Sequence, residues 1–93
     1  MTPVGLWEDE QGEQWEIRRR SYGYFVRHID AEGFEGHAEN VRWRAERLKW
    51  TVAVGDPPEV RQYETLRIEL HQMKVQWKTA SSEGEEAFTR VSA

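Results

Sequence analysis

The sequence has no cysteine among its 93 residues, which excludes a disulfide framework and a thiolate metal site. It also has no apolar run near the roughly 20 residues that a membrane-spanning helix requires. Residues 1–5 have neither the basic region nor the apolar region of a signal peptide. These absences predict a soluble protein that does not bind membranes, with the cytoplasm as its expected location.

Apolar residues are scarce as well, at 38% of the chain, whereas charged residues make up 32%. A chain of 93 residues has room for one core, so we predict a single domain over residues 1–93. Five Trp, three Tyr and three Phe compensate for the missing aliphatic residues, because each large ring buries on the order of 150–250 Å². We therefore expect a small aromatic core.

The clearest pattern lies in residues 41–54, where apolar and polar residues alternate with a period of two. Trp43 lies between two arginines, and Trp50 and Val52 alternate with polar neighbours after a short break. Two such runs predict the two strands of a hairpin. Successive side chains of a strand point to opposite faces, so the aromatic residues should face a core and the cations should face solvent.

Short polar turns that end in glycine occur at residues 10–12, 30–33 and 81–84. A glycine in this position is typical of a type I turn that is closed by a left-handed bulge residue. Three turns of one kind predict a meander of antiparallel strands.

Residues 57–73 fit two patterns. With a period of 3.6 they form an apolar stripe, and Asp56 would be the N-cap of a helix whose first residue is Pro57. A helix would leave Ile68 and Val75 facing solvent, whereas two strands would use both but would need a turn at residues 71–72. We favour strands, with at most a helical turn at residues 57–62. An α+β fold with a helix near residues 57–73 is the alternative.

The two ends of the chain resemble the calycins, the family of lipocalin and fatty-acid-binding barrels. Gly5-Leu6-Trp7 is similar to the Gly-x-Trp that opens the first strand of these barrels, and Arg90 lies in the last predicted strand. In the family an arginine of the last strand packs over that tryptophan, since these strands are neighbours when the meander closes. The resemblance implies structural roles for Trp7 and Arg90.

We therefore predict an all-β fold, a small antiparallel meander of about eight strands that closes into a calycin-like barrel or a curled sheet. Small barrels are filled by side chains. Four tryptophans, Trp15, Trp43, Trp50 and Trp77, are expected to fill this one.

Arg42, Arg44, Arg47 and Lys49 should crowd one outer face of the central hairpin, where like charges on paired strands repel each other. This face is a candidate for binding phosphate or an acidic protein partner. The alternative is that nearby glutamates neutralise it in ordinary exposed ion pairs. The glutamates considered are Glu35, Glu39 and Glu69.

A second candidate site is the mouth of the barrel. Arg19, Tyr24 and His28 could line this mouth and hold a small anion, with Trp43 and Trp50 as the apolar part of the ligand site. The same residues could equally be ordinary surface and core residues.

Nucleic acid is not an expected partner. Single-strand binding requires aromatic residues on the same face as the cations, whereas Trp43 and Trp50 are expected to point toward the core. The arginine run at residues 18–20 beside Tyr22 and Tyr24 is the better local candidate for such binding.

The sequence contains no recognisable catalytic or metal-binding motif. His28, His37 and His71 lie on separate segments and lack the spacing of metal ligands, so we predict no metal and no cofactor. We find no nucleophile elbow and no phosphate loop, and we therefore do not expect an enzyme. The predicted function is a non-catalytic binding module for a small anionic or apolar ligand. The alternative is a protein-interaction domain, homodimeric or not, that uses its outer face or an open edge strand.

Overall fold

A computed structural model describes residues 2–93, which form nine β-strands and no helix. The strands are β1 (Gly5–Glu8), β2 (Gln14–Arg20), β3 (Gly23–Ile29), β4 (Glu35–His37), β5 (Glu39–Arg44), β6 (Arg47–Val54), β7 (Glu59–Ile68), β8 (Gln72–Lys78) and β9 (Glu83–Ser92). No helix capable of crossing a membrane occurs within this range.

All nine strands belong to one antiparallel sheet with the order β4-β3-β2-β1-β9-β8-β7-β6-β5. Strands that are consecutive in sequence pair with each other, except β4 and β5, which form the two edges of the sheet. The first and last strands, β1 and β9, also pair. The sheet curls into a nearly closed barrel. The prediction of an all-β antiparallel meander is confirmed, with nine strands in place of about eight.

The barrel interior is filled by the side chains that the alternating pattern turns inward. In β6, for example, Leu48, Trp50 and Val52 are buried, whereas Arg47 and Lys49 are exposed. Aromatic rings dominate this core, as the composition predicts, because few aliphatic side chains are present. The buried hydrophobic residues are Trp7, Trp15, Ile17, Val26, Leu48, Trp50, Val52, Tyr63, Met73, Val75 and Phe88.

The α+β alternative is wrong, because residues 57–73 contain no helix. The chain turns at residues 55–58, β7 begins directly afterwards, and no helical turn forms at residues 57–62. The turn between β7 and β8 is closed by a 2.9 Å hydrogen bond from the Glu69 N–H to the Gln72 carbonyl. Two strands place Val75 in the core and pack Ile68 against it, whereas a helix would expose both.

Two of the three predicted glycine turns form, and the third is displaced. Gly12 and Gly33 adopt left-handed backbone conformations, with φ of 80° and 90°. Gly84 instead lies within β9, because the preceding turn is made by residues 79–82. Gly84 pairs with Trp77 across the strands, where a Cβ atom would lie 2.8 Å from the indole ring. The glycine is thus required by the Trp77 ring and not by a turn.

The two ends of the chain meet on neighbouring strands. Trp7 of β1 is paired with Arg90 of β9, whose guanidinium carbon lies 4.2 Å from the centre of the indole ring. The same guanidinium donates hydrogen bonds to the carbonyls of Val4 and Leu70. Gly5 leaves the space for this side chain, because a Cβ atom there would collide with it. The first strand, the last strand and the β7–β8 turn are thereby joined at one end of the barrel.

The barrel has one seam, between β3 and β5. The chain leaves β4, which pairs with β3, and continues into β5, which pairs with β6. At this crossing the Ala38 N–H donates a 3.0 Å hydrogen bond to the Val26 carbonyl. Asn40 then adopts a φ of 53°, and over residues 2–93 no ladder connects β5 to β3. The seam therefore separates residues 23–25 from residues 40–44 and opens toward the β2–β3 turn.

Candidate functional site

A groove of about 600 Å³ occupies this seam, and we call it the seam groove. Its walls come from the end of β2, the β2–β3 turn, the start of β3 and most of β5. The groove exists because β5 pairs on one side only, which leaves its other edge and the facing edge of β3 apart. The side chains that give it chemical character are Arg19, Tyr22, Tyr24, Arg42, Trp43 and Arg44.

The apolar part of the groove consists of two rings from its opposite walls. The ring centres of Tyr24 and Trp43 are 5.2 Å apart and their planes are inclined by 45°. Trp43 is 38% exposed, so the expectation that it fills the core is wrong. Its side of β5 faces the seam, where no paired strand covers the indole. Trp77 is also only partly buried, at the edge of the core.

Arg19 extends over the Tyr24 ring. Its guanidinium carbon lies 5.2 Å from the centre of the Tyr24 ring, and its Nη1 is 3.4 Å from the Tyr24 hydroxyl oxygen. The structure therefore brings together three of the five residues predicted for the ligand site, namely Arg19, Tyr24 and Trp43.

The other two predicted ligand residues lie in the barrel interior and do not line the seam groove. His28 is only 5% exposed, stacks on Trp15 at 4.2 Å between ring centres, and has its Nε2 2.8 Å from a carboxylate oxygen of Glu13. Trp50 is 1% exposed and stacks on the Tyr63 ring at 5.3 Å.

The four cations of the central hairpin share one outer face, in the positions that the alternation predicts. Arg42 is paired with Lys49 across the strands, and Arg44 is paired with Arg47. Glu64 of β7 lies 3.6 Å from both Arg47 and Lys49, so one carboxylate is shared between these two charges. The four residues therefore divide into a pair that shares a carboxylate partner and a pair without one, Arg42 and Arg44, that lines the seam groove.

Two of the glutamates that were considered as neutralising partners of this face are engaged elsewhere. Glu35 pairs with Arg27 at 2.9 Å, and Glu69 pairs with Arg67 at 2.9 Å. Arg19, Arg42 and Arg44 have no carboxylate oxygen within 4.0 Å among the residues that the structure describes.

The seam groove is thus a local concentration of positive charge on a chain whose net charge is −4. None of the described side chains that line it is acidic. A concave surface lined by one sign of charge attracts counter-ions more strongly than an open surface does. Guanidinium groups bind carboxylate or phosphate through two parallel hydrogen bonds, so this arrangement is suited to holding an anion.

A second polar cluster, which the sequence did not reveal, lies on the β9 side of the barrel. Glu86 is only 8% exposed and accepts a 3.2 Å hydrogen bond from the Glu10 N–H. Burial raises the pKa of Glu86 to about 7, and the nearby carboxylates of Asp9 and Glu10 act in the same direction. Burial also raises the pKa of Tyr63, which lines a cleft of about 270 Å³ with Glu86.

The alternation of β9 carries a signal for this cluster. Glu86 is two residues from Phe88, so the two side chains share the inward face of the strand. Glu86 is therefore buried although it lies in an acidic run with Glu83 and Glu85.

Asp9 belongs to the same cluster, but its carboxylate accepts hydrogen bonds within the β1–β2 turn and from the core. One carboxylate oxygen accepts the N–H groups of Gln11 and Glu13 at 2.9 Å, and the other accepts the Trp15 indole N–H at 3.0 Å. These bonds hold the β1–β2 turn against the core, which gives Asp9 a structural role.

The described residues contain no group of three or more histidine, aspartate or glutamate side chains arranged to hold a metal ion. Comparisons with protein-family models, with curated proteins and with solved structures find no match to this chain.

Proposed function

We propose that this protein is a non-catalytic binding module that holds a small anionic ligand in the seam groove. The observation that carries the proposal is the set of three arginines, without carboxylate partners, around two partly exposed rings. The ligand's anionic group would bind the guanidinium groups of Arg42 and Arg44, and its apolar part would contact Tyr24 and Trp43 beside Arg19. An anion is favoured over a purely apolar ligand because side chains fill the barrel interior.

Calorimetric titration with inorganic phosphate tests this proposal. The test variant is Arg42→Gln with Arg44→Gln, and the matched control is Arg47→Gln with Lys49→Gln. Both variants lose two positive charges from one outer face, but the control residues share the carboxylate of Glu64 and do not line the seam groove. Hydrogen bonds to charged groups contribute about 1.5–3 kcal/mol each, so the test variant should lose at least tenfold in affinity. Equal losses in the two variants, or no phosphate binding by the unaltered protein, would contradict the proposal.

We further propose that the barrel is related to the calycins. Its support is the position of Arg90 over Trp7, with Gly5 leaving the space that the guanidinium occupies. A homologous chain whose sequence is recognisably calycin-like would test the relationship. Such a chain should have the same residues at the positions of Gly5, Trp7 and Arg90. The cytoplasmic location stays a prediction that cell fractionation would test.

A protein-interaction domain is the second candidate, and the unpaired strand edges at the seam favour it. Residues 23–25 and 40–44 are not joined by a ladder, and an extended segment can pair with such an edge. An acidic segment, from a partner or a second copy of the chain, would complement the arginines. Light scattering over a range of concentrations tests for a homodimer. If Arg42→Glu with Arg44→Glu leaves both self-association and capture of acidic peptides unchanged, this candidate is wrong.

A further inference from the structure

The positions of the rings and charges in the seam groove restrict the kind of anion that would fit it. Trp43 and its neighbours Arg42 and Arg44 alternate along β5, so the indole faces the seam while the two guanidinium groups extend from the outer face. A ligand that contacts both the indole and the guanidinium groups must cross the edge of β5. The apolar part and the anionic part of the ligand are therefore separate groups joined by a spacer.

The apolar part should be a planar ring. Tyr24 and Trp43 are inclined to each other by 45° and are not stacked in parallel, and Trp43 remains 38% exposed. Tyr22 at the rim of the groove is fully exposed. Aromatic side chains in such positions offer surfaces on which a further ring can stack, whereas a flexible alkyl chain would need an enclosed cavity.

The anionic part should carry more than one charge. The two guanidinium groups of Arg42 and Arg44 have no carboxylate partner within 4.0 Å in the described part of the chain. A phosphate monoester has a charge of about −1.5 to −2 at neutral pH and several strong acceptor oxygens, so it matches them better than a single carboxylate does. The volume of about 600 Å³ lies within the usual range for small-molecule sites.

We propose that the ligand of the seam groove is a nucleotide, whose base stacks on Trp43 and Tyr24 while its phosphate binds Arg42 and Arg44. The ribose supplies the spacer between ring and charge. This inference rests on the proposed anion-binding function and names the chemical class of the ligand.

A free nucleotide is favoured over a nucleic acid strand. The groove closes at the crossing point, where Ala38 is hydrogen-bonded to Val26. Beyond its ends the surface carries carboxylates, including Glu16 in β2 and Glu39 at the start of β5. A longer polyanion would gain few further phosphate contacts on a chain with a net charge of −4.

Fluorescence and NMR titrations with adenosine 5′-monophosphate, inorganic phosphate, adenosine and a single-stranded octanucleotide test the inference. Base stacking on an aromatic side chain improves affinity by about 5- to 150-fold. The mononucleotide should therefore bind more tightly than inorganic phosphate by a factor in this range. Its addition should shift the Trp43 indole N–H resonance.

A pair of tryptophan variants separates stacking from charge. Trp43→Leu should reduce the affinity for the mononucleotide to that for phosphate while leaving phosphate binding unchanged. Trp77→Leu is the control, because Trp77 is also partly buried but does not line the seam groove. Its affinity for both ligands should stay within about twofold of the unaltered protein, since no stacking partner is lost.

The outcomes distinguish this inference from the function on which it rests. Equal affinities for the mononucleotide and phosphate would overturn the nucleotide assignment and leave the anion-binding function standing. Absence of binding by either would overturn both. Tighter binding of the octanucleotide, with a salt dependence that corresponds to more than about three phosphate contacts, would show a polyanion site and overturn the free-nucleotide assignment.

Discussion

The substitution Glu86→Gln should stabilise the protein at neutral and alkaline pH. Burial raises the pKa of Glu86 from its ordinary value of 4.5 to about 7. Between these two values the unfolded chain loses the proton while the folded chain keeps it, so stability falls as the pH rises. Glutamine remains uncharged and still offers an oxygen to the Glu10 N–H.

The size of the effect follows from the difference in the pKa of Glu86 between the unfolded and the folded chain. A tenfold change in the acid dissociation constant corresponds to about 1.4 kcal/mol, so a rise of the pKa from 4.5 to about 7 gives at most about 3 kcal/mol. The carboxyl also faces a cleft, and solvent there reduces the cost of its charge. We expect the variant to match the unaltered protein near pH 4 and to exceed its free energy of unfolding by about 1–3 kcal/mol at pH 8.

Urea denaturation followed by tryptophan fluorescence, repeated from pH 4 to pH 8, measures this difference. Glu85→Gln is the matched control, because Glu85 is an exposed neighbour whose 3.6 Å ion pair with Lys74 contributes no more than about 1 kcal/mol. A difference between Glu86→Gln and the unaltered protein that does not change with pH would refute the reasoning. So would a destabilised Glu86→Gln variant at pH 8.

Three further substitutions test the packing. Gly84→Ala should destabilise the fold by about 1–3 kcal/mol, because its Cβ would lie 2.8 Å from an indole ring, whereas Gly36→Ala, in open space, should cost less than about 1 kcal/mol. Arg90→Gln should lower the free energy of unfolding by about 2–4 kcal/mol, because two backbone carbonyls lose a charged donor. Its control, Arg67→Gln, loses only an exposed ion pair and should lower the free energy of unfolding by less than about 1 kcal/mol. Trp43→Leu should change stability by less than about 1.5 kcal/mol, because its ring is partly exposed. Urea denaturation measures all three, and a reversed order within either matched pair would contradict the packing described above.

The fold could be predicted from the sequence because alternation is a local property. The pattern around Trp50 gave the correct inward face, and the need to bury Ile68 and Val75 correctly favoured two strands over a helix. The packing of Arg90 over Trp7 could be anticipated from the resemblance of the two chain ends to the calycins, whereas the space that Gly5 leaves for the guanidinium was not predicted. In each case the alternation of neighbouring residues, or the similarity of a short motif to a known family, was enough to predict the contact or the strand.

The seam groove could not be predicted in this way, because it depends on which strands remain unpaired. Alternation assigned Trp43 to the core on the assumption that β5 has a neighbour on both sides. The structure shows a neighbour on one side only, so the same face of the strand opens into a groove. His28 was predicted as a ligand residue from its type, whereas its stacking on Trp15 is a tertiary contact that no sequence spacing indicates.

The most direct test of the central claim, that the seam groove is an anion site, is an NMR titration that follows the arginine side-chain Nε–H resonances as phosphate is added. We predict saturable shifts at Arg42 and Arg44, with Arg47 and Arg61 unaffected. Shifts of equal size at all the arginines, or the largest shifts at Arg47 or Arg61, would contradict the claim.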